Sequence, residues 1–244
     1  MEKLFDGRTA LVVGGTGGIG RFISRALARR GAALTVIGSS PKRLQRTCDE
    51  LSAQGAGARG FALNLDADTA VRETLAVCAQ TDILVCAFGP FLRRPLAETT
   101  PEDWRRLVTL NLILPGSLVS AYLAGMMERR WGRILLFGGS NTESIRGWTT
   151  TAPYAAAKTA LGPLAKSVAK NAAAFGVTCN LLCPGLTDTE YLDEAARRYN
   201  REHSPTGRPL TPEEVAAFAL EILANPNLNG AILPLDNGLD LHIV

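Results

Sequence analysis

The sequence predicts a single α/β domain built on a doubly wound, seven-stranded parallel sheet. Three observations carry that expectation. Short apolar runs alternate with helix-length segments along all 244 residues. Several of those runs are almost continuously apolar, as strands are when both faces of a parallel sheet are covered. The first run closes in a glycine-rich turn that opens a helix, and sheets of this kind take their ligand beyond the carboxyl ends of their strands.

The first strand is read at Thr9 to Val13, followed by Gly14-Gly15-Thr16-Gly17-Gly18-Ile19-Gly20 and a helix from Arg21 to Arg30 that Gly31 closes. The second, Ala33 to Ile37, runs into Gly38-Ser39-Ser40, and the third, Gly60 to Leu65, ends on Asn64-Leu65. The fourth spans Ile83 to Phe88 ahead of Gly89, and the fifth, Arg133 to Phe137, precedes Gly138-Gly139-Ser140. An alanine-rich helix is expected over Ala152 to Phe175. Pro163 should kink it, because the ring removes a backbone donor and clashes with the carbonyl of Thr159. The sixth strand, Val177 to Leu182, leads into Cys183-Pro184-Gly185, and a helix opened by Thr211-Pro212-Glu213-Glu214 precedes the seventh at Ala231 to Leu235. Residues 187–208 form a charged segment in which Tyr191, Leu192, Ala195, Ala196 and Tyr199 recur at helical spacing opposite Asp193, Glu194, Arg197, Arg198 and Arg201. That pattern suits a short amphipathic lid, and suits an ordinary surface helix equally well.

Composition excludes several classes. Twenty-six basic against twenty-three acidic residues leave a net charge of +3 with no basic arm, so nucleic acid is not an expected partner. The five cysteines, Cys48, Cys78, Cys86, Cys179 and Cys183, are scattered and odd in number, which argues for buried thiols in a reducing compartment and against a metal cage or disulfide framework. No apolar run approaches the roughly 20 residues of a bilayer span, and Met1 to Asp6 lacks a leader's pattern. A cytoplasmic, membrane-free protein is expected.

Chemistry concentrates at Tyr154 and Lys158, four residues apart in Pro153-Tyr154-Ala155-Ala156-Ala157-Lys158. On a helix this spacing puts both side chains on one face, one turn apart. A phenol has a pKa of about 10, so acid-base work near neutrality calls for a neighbouring positive charge. Lys158 offers one. The glycines from Gly14 to Gly20 let the backbone turn tightly against a pyrophosphate at the positive end of the following helix. Together these features indicate carbonyl chemistry with a nicotinamide. Isolated, each has a bland reading: Tyr and Lys as solvated helix neighbours, Asn111 as a helix-end cap, Ser140 as a loop hydroxyl.

In this order the motifs resemble the short-chain dehydrogenase/reductase family in its compact, Rossmann-type form. The glycine turn matches that family's Thr-Gly-x-x-x-Gly-x-Gly with Val13 at the leading Thr; Asn111, Ser140, Tyr154 and Lys158 match its catalytic set. Asn180-Leu181-Leu182-Cys183-Pro184-Gly185 with Thr189, and Leu235-Asp236-Asn237-Gly238, match its later segments. The resemblance implies that Tyr154 donates the proton, Ser140 holds the carbonyl oxygen, Lys158 lowers the Tyr154 pKa and binds the nicotinamide ribose, and Asn111 holds a water linked to Lys158. If Lys158 and the cofactor charge together lower that pKa by about three, they supply roughly 4 kcal/mol of preference for phenolate. It further implies cofactor contacts from Gly14, Thr16, Gly17, Gly18, Ile19, Gly20, Ser39, Ser40, Asn64, Leu65, Phe88, Gly89, Tyr154, Lys158, Pro184, Gly185, Thr187 and Thr189, and a homodimer or tetramer. Three departures stand out. Cys86-Ala87-Phe88-Gly89 replaces the family's Asn-Asn-Ala-Gly, Ser140 lies one residue farther from Tyr154 than usual so that counting alone selects Asn141, and Pro163 falls inside the helix after Lys158.

The end of the second strand has no acid about 20 residues past the glycines, where an NAD site holds its ribose hydroxyls. With Ser39, Ser40 and the nearby Arg21, Lys42 and Arg43, NADP(H) is favoured over NAD(H). The expected partner is a small carbonyl or alcohol substrate near Trp148, Thr149 to Thr151, Arg93 and Arg94. An acyl-carrier-bound 3-oxoacyl thioester, a substrate within the family, is one of many such ketones, with Arg129, Arg130 and Lys166 available to an acidic carrier. A non-catalytic dinucleotide sensor of the same fold is the alternative, and it has no use for the four catalytic positions together. An enoyl reductase would space Tyr and Lys more widely, and an epimerase would need a longer substrate domain.

Overall fold

A computed structural model describes residues 3–239, so the outer ends of the domain expected over 1–244 lie outside the described residues. The sheet is β1 (Thr9–Val13), β2 (Ala33–Gly38), β3 (Ala58–Ala62), β4 (Ile83–Cys86), β5 (Gly132–Phe137), β6 (Val177–Pro184) and β7 (Ile232–Leu235). Its strands are parallel in the order β3-β2-β1-β4-β5-β6-β7. The chain works outward from β1 to β3, returns to β4 on the other side of β1, and works outward again. A crevice therefore opens between β1 and β4, at their carboxyl ends.

Two apolar layers follow from the pleat, since successive strand residues face opposite sides. Val12, Val36, Val85 and Leu135 pack with Ile23 and Leu27 of α1 (Gly18–Arg29) and with Val215 and Ala219 of α9 (Pro212–Ala224). Leu11, Ile37, Leu84 and Ile134 pack on the other face with Leu118 and Met126 of α5 (Leu114–Glu128) and Val168 of α7 (Leu161–Ala172). The remaining helices are α2 (Pro41–Ala53), α3 (Ala70–Val77), α4 (Pro101–Val108), α6 (Ala152–Thr159) and α8 (Glu194–His203). Thr211 caps α9 through a reciprocal bond with Glu214, the arrangement its Thr-Pro-Glu-Glu opening suggests.

Several boundaries differ from expectation. β3 sits earlier than Gly60 to Leu65, since it pairs only with β2, whose last partner contact is Gly38 with Ala62. β4 stops at Cys86, where its pairing with Val13 of β1 ends. The helix expected over Ala152 to Phe175 divides at Ala160 into α6 and α7 and finishes as a tight turn at Ala173–Phe175. Pro163 thereby falls in the first turn of α7, where a missing N–H is tolerated. Four of the cysteines are buried, Cys48 is half-buried, and all five are free.

Helical backbone also runs without a break from Pro101 to Glu128, through a π-turn at Thr109–Ile113, and this stretch is long and apolar enough to cross a bilayer. That corrects the expectation that no such run exists. Leu110, Leu114, Leu118, Val119, Tyr122 and Met126 spend its apolar character in the core beneath the sheet.

Candidate active site

A cleft of about 850 Å³ lies along the carboxyl ends of the strands. One end is floored by the glycine turn. Gly14 has φ +82°, a left-handed conformation, and a Cβ there would collide with the carbonyl of Ala87. A Cβ at Gly20 would strike the carbonyl of Gly14, so these two glycines let α1 start directly on the turn. The turn is pinned by the Gly14 N–H on Ile37 O (2.8 Å), and by the Ser24 hydroxyl donating to Gly20 O (3.0 Å).

At the other end, α6 carries Tyr154 and Lys158. Lys158 is buried, 4% exposed, and its ammonium donates to Phe137 O (2.8 Å) at the end of β5 and to Phe88 O (3.3 Å) beyond β4. Burial pushes the ammonium down to about 8, against a smaller opposing pull from the Cys86 and Cys183 sulfurs. Tyr154 is half-buried, with its hydroxyl against Gly139 and its ring 5.9 Å from Lys158 Nζ. Burial raises the phenol above its ordinary value, and Cys183 adds to the effect. The expected depression of this pKa by Lys158 is therefore not what the protein alone produces, because desolvation outweighs an ammonium already bonded to two carbonyls. The phenol is held protonated, as a donor must be.

Ser140 and Asn141 both line the cleft beside Tyr154. The Ser140 hydroxyl donates to Pro184 O at 3.3 Å. Asn141 adopts a left-handed φ of +61°, and its buried Oδ1 has no hydrogen-bond partner. Asn111 lies one layer behind, fully buried in the π-turn, donating from Nδ2 to Pro90 O (3.0 Å) and leaving Oδ1 unpartnered next to Gly89. Periodicity contained no signal for the π-turn, which widens the helix by one residue where Asn111 points inward.

Of the other residues singled out in the sequence, Thr16, Gly17, Gly18, Ile19, Ser39, Leu65, Phe88, Gly89, Pro184, Gly185, Thr187 and Thr189 line this cleft. Three do not. Gly20 packs behind the turn, the Ser40 hydroxyl caps α2 by accepting from Arg43 N (3.4 Å), and Asn64 Oδ1 accepts from Asp66 N (3.1 Å) in a local turn. Among the nearby cations Arg43 lines the cleft, whereas Arg21 is occupied by Glu50 through two hydrogen bonds.

The segment from Leu186 onward forms one wall. Leu186 and Asp188 exchange backbone bonds with Leu210 at 2.8 Å each, and Asp193 caps α8 by accepting from Ala196 N (2.8 Å). α8 accordingly begins at Glu194, and Tyr191 and Leu192, expected within its periodicity, lie before it in a turn closed by the Leu192 N–H on Thr189 O (3.2 Å). One contact had no sequence signal. Glu190 Oε1 accepts the N–H of Gly18 at 2.9 Å, placing a carboxylate on the N-terminus of α1, while the Tyr191 hydroxyl rests on Gly17 and Arg43 lies over its ring at 5.4 Å.

These features fit a dinucleotide. A bare glycine backbone meets a helix N-terminus and no acid closes the end of β2, which suits a long anionic ligand, while the unpartnered Asn111 Oδ1 behind Gly89 is left to accept a hydrogen bond. A doubly wound sheet with such a cleft at its switch point is the architecture of the Rossmann-type dinucleotide-binding proteins. The short chain dehydrogenase family pattern matches residues 8–200. An uncharacterised oxidoreductase of Bacillus subtilis is 31% identical over 262 residues, covering 98% of both chains. The 3-oxoacyl-acyl-carrier-protein reductase of Vibrio cholerae is 32% identical over 244 residues, covering 96% of this chain and 98% of its own. A solved structure from Beutenbergia cavernae, provisionally described as an NAD(P)-dependent gluconate 5-dehydrogenase with NADP bound at low occupancy, superposes with a TM-score of 0.88 at 29% identity, covering 98% of this chain and 99% of its own. The chain belongs to the short-chain dehydrogenase family, and is an oxidoreductase acting on alcohol and carbonyl groups.

Proposed function

We propose that the protein is an NADP(H)-dependent cytoplasmic reductase that interconverts a small ketone and a secondary alcohol with Tyr154 as general acid and base. The observation that carries this reading is the convergence of the Tyr154 hydroxyl, Ser140 and buried Lys158 on one cleft whose other end is the glycine turn. Gly14, Thr16, Gly17, Gly18 and Ile19 would hold the pyrophosphate, Ser39 and Arg43 the adenosine end, and Lys158, Pro184, Gly185, Thr187 and Thr189 the nicotinamide end. The bound dinucleotide supplies the hydride that reduces the carbonyl carbon. Tyr154 gives its proton to the carbonyl oxygen as charge develops there, and Ser140 donates a hydrogen bond to the same oxygen. In the alcohol-oxidising direction Tyr154 takes the proton back. Asn111 keeps its free Oδ1 behind Gly89 for a water on the Lys158 side.

A ketone and alcohol panel followed by nicotinamide absorbance tests the reading. Absence of turnover alongside tight NADPH binding would favour the non-catalytic sensor. Within that assay Ser140→Ala is expected to lower kcat by about 10² to 10³, the usual cost of one oxyanion donor, and Asn141→Ala to stay near wild type. The reverse ranking would move the role to Asn141.

Cofactor choice and the Glu190 contact are tested by fluorescence titration. NADPH is expected to bind more tightly than NADH, and Ser39→Asp to weaken NADPH the more, since a carboxylate there repels a 2′-phosphate. Glu190→Gln is expected to tighten both by about two- to fivefold, because a carboxylate on the α1 N-terminus occupies the amide that an anionic ligand needs. Unchanged affinity would leave Glu190 as an ordinary cap. For assembly we expect a homodimer or tetramer pairing through the helices that hold Asn111 and Tyr154, where Trp104 and Ile113 are exposed. A monomer by light scattering at micromolar concentration would refute that.

A further inference from the structure

Among the described residues lining the cleft there is no acidic side chain, the nearest being Glu190 on the Gly18 N–H, and three fixed cations line it: Arg43, Lys158 and Arg93. Two of the three are accounted for. Arg43 sits at the adenosine end over Tyr191, and Lys158 is held by two carbonyls. Arg93 differs. Among the described residues its guanidinium has no ion pair and no hydrogen bond, and it lies over the face of Tyr199 at 5.3 Å. The next residue behaves in the opposite way: Arg94 pairs with Asp103, and its N–H donates to Thr150 O at 2.6 Å. Arg94 thus fastens the loop after β4 to the loop before α6, and leaves Arg93 presented at the cleft.

Its place along the cleft is set by its neighbours. The Phe91 ring meets the Tyr154 ring edge-on, with centroids 5.0 Å apart, so Phe91 borders the space in front of the reacting hydroxyl. Arg93, two residues on, lies at most about 7 Å farther along the chain and lines the same cleft. Across the mouth stand Tyr199 and His203 of α8, their rings stacked at 3.8 Å, so the guanidinium is backed by an aromatic wall. A planar guanidinium with its donors open prefers a carboxylate or phosphate, which it grips bidentately. A cleft lined by one sign of charge concentrates such anions.

We propose that Arg93 anchors an anionic group of the substrate, so that the compound turned over at Tyr154 is an oxo acid or an oxo phosphate and not a neutral ketone. This rests on the reductase reading above and names the substrate class of that site. The probes are acetoacetate and levulinate against their methyl esters, and dihydroxyacetone phosphate against dihydroxyacetone, each assayed for kcat/KM with NADPH and for binding to the NADPH complex by calorimetry. In wild type the best anion is expected to exceed its neutral partner by about 10- to 100-fold, the usual worth of a charge-assisted hydrogen bond. Arg93→Gln should remove that preference through the anion alone, leaving the neutral compound within about twofold and NADPH affinity unchanged, and Arg93→Lys should restore part of it. Which pair shows the preference separates carboxylate from phosphate. Equal use of anion and neutral partner by wild type, or an equal loss of both in Arg93→Gln, would overturn the proposal while the reductase reading stands. Arg93-dependent anion binding with no turnover of any probe would uphold the anchor and overturn the reductase reading.

Discussion

Tyr154→Phe is expected to abolish ketone reduction and leave dinucleotide affinity close to wild type. The substitution removes one oxygen and keeps the ring, so the edge-on contact with Phe91 at 5.0 Å persists and Lys158 keeps its bonds to Phe137 O and Phe88 O. What disappears is the proton. Loss of a positioned acid costs about 10² to 10⁴ in rate. Single-turnover reduction at saturating NADPH checks this without interference from product release. Substantial residual turnover would sink the catalytic assignment and raise the sensor alternative, in which Tyr154 is a helix residue facing a binding cleft.

How far this site could be read from the chain depended on the range of the interactions involved. The glycine turn, Tyr154 and Lys158 are local motifs whose spacing survives as sequence, and the strands were legible because both faces of a parallel sheet demand continuous apolar runs. Edges were less so: β3 has a single partner, and Leu63 and Leu65 remain packed against the core beyond the last pairing, so apolarity outlasted the strand. The alanine-rich helix divides three residues before Pro163, at Ala160, whose backbone stays in the helical region with φ −64° and ψ −14°. Contacts between distant segments left no trace. Glu190 reaches Gly18 across 172 residues, and the periodicity of Tyr191 and Leu192 suggested helix until Asp193 was seen to cap α8 after them. Burial around Tyr154 is likewise a long-range effect: spacing shows the nearby ammonium, whereas the desolvation that raises the phenol of the protein alone comes from segments distant in the chain.

Lys158→Met is expected to be nearly inactive with weakened NADPH binding, and also to change how stability depends on pH. Lys158 joins β5 and the β4 end to α6 through one ammonium, so its loss both removes the proposed ribose donor and frees two carbonyls at the cleft floor. Burial lowers its folded pKa to about 8, below the ordinary lysine value of 10.5. Between those values the unfolded chain binds more protons than the folded one, so stability rises with pH over that window; below about 8 the cost of burying the charge is fully present, and above 10.5 it vanishes. A depression of this size corresponds to a cost on the order of 3 kcal/mol. Wild type should therefore gain stability from pH 8 to 10.5 by an amount that Lys158→Met lacks, as read by urea denaturation at several pH values. Parallel pH profiles in the two proteins would show that the ammonium is solvated in solution, and would remove the desolvation on which the protonated state of this site is argued.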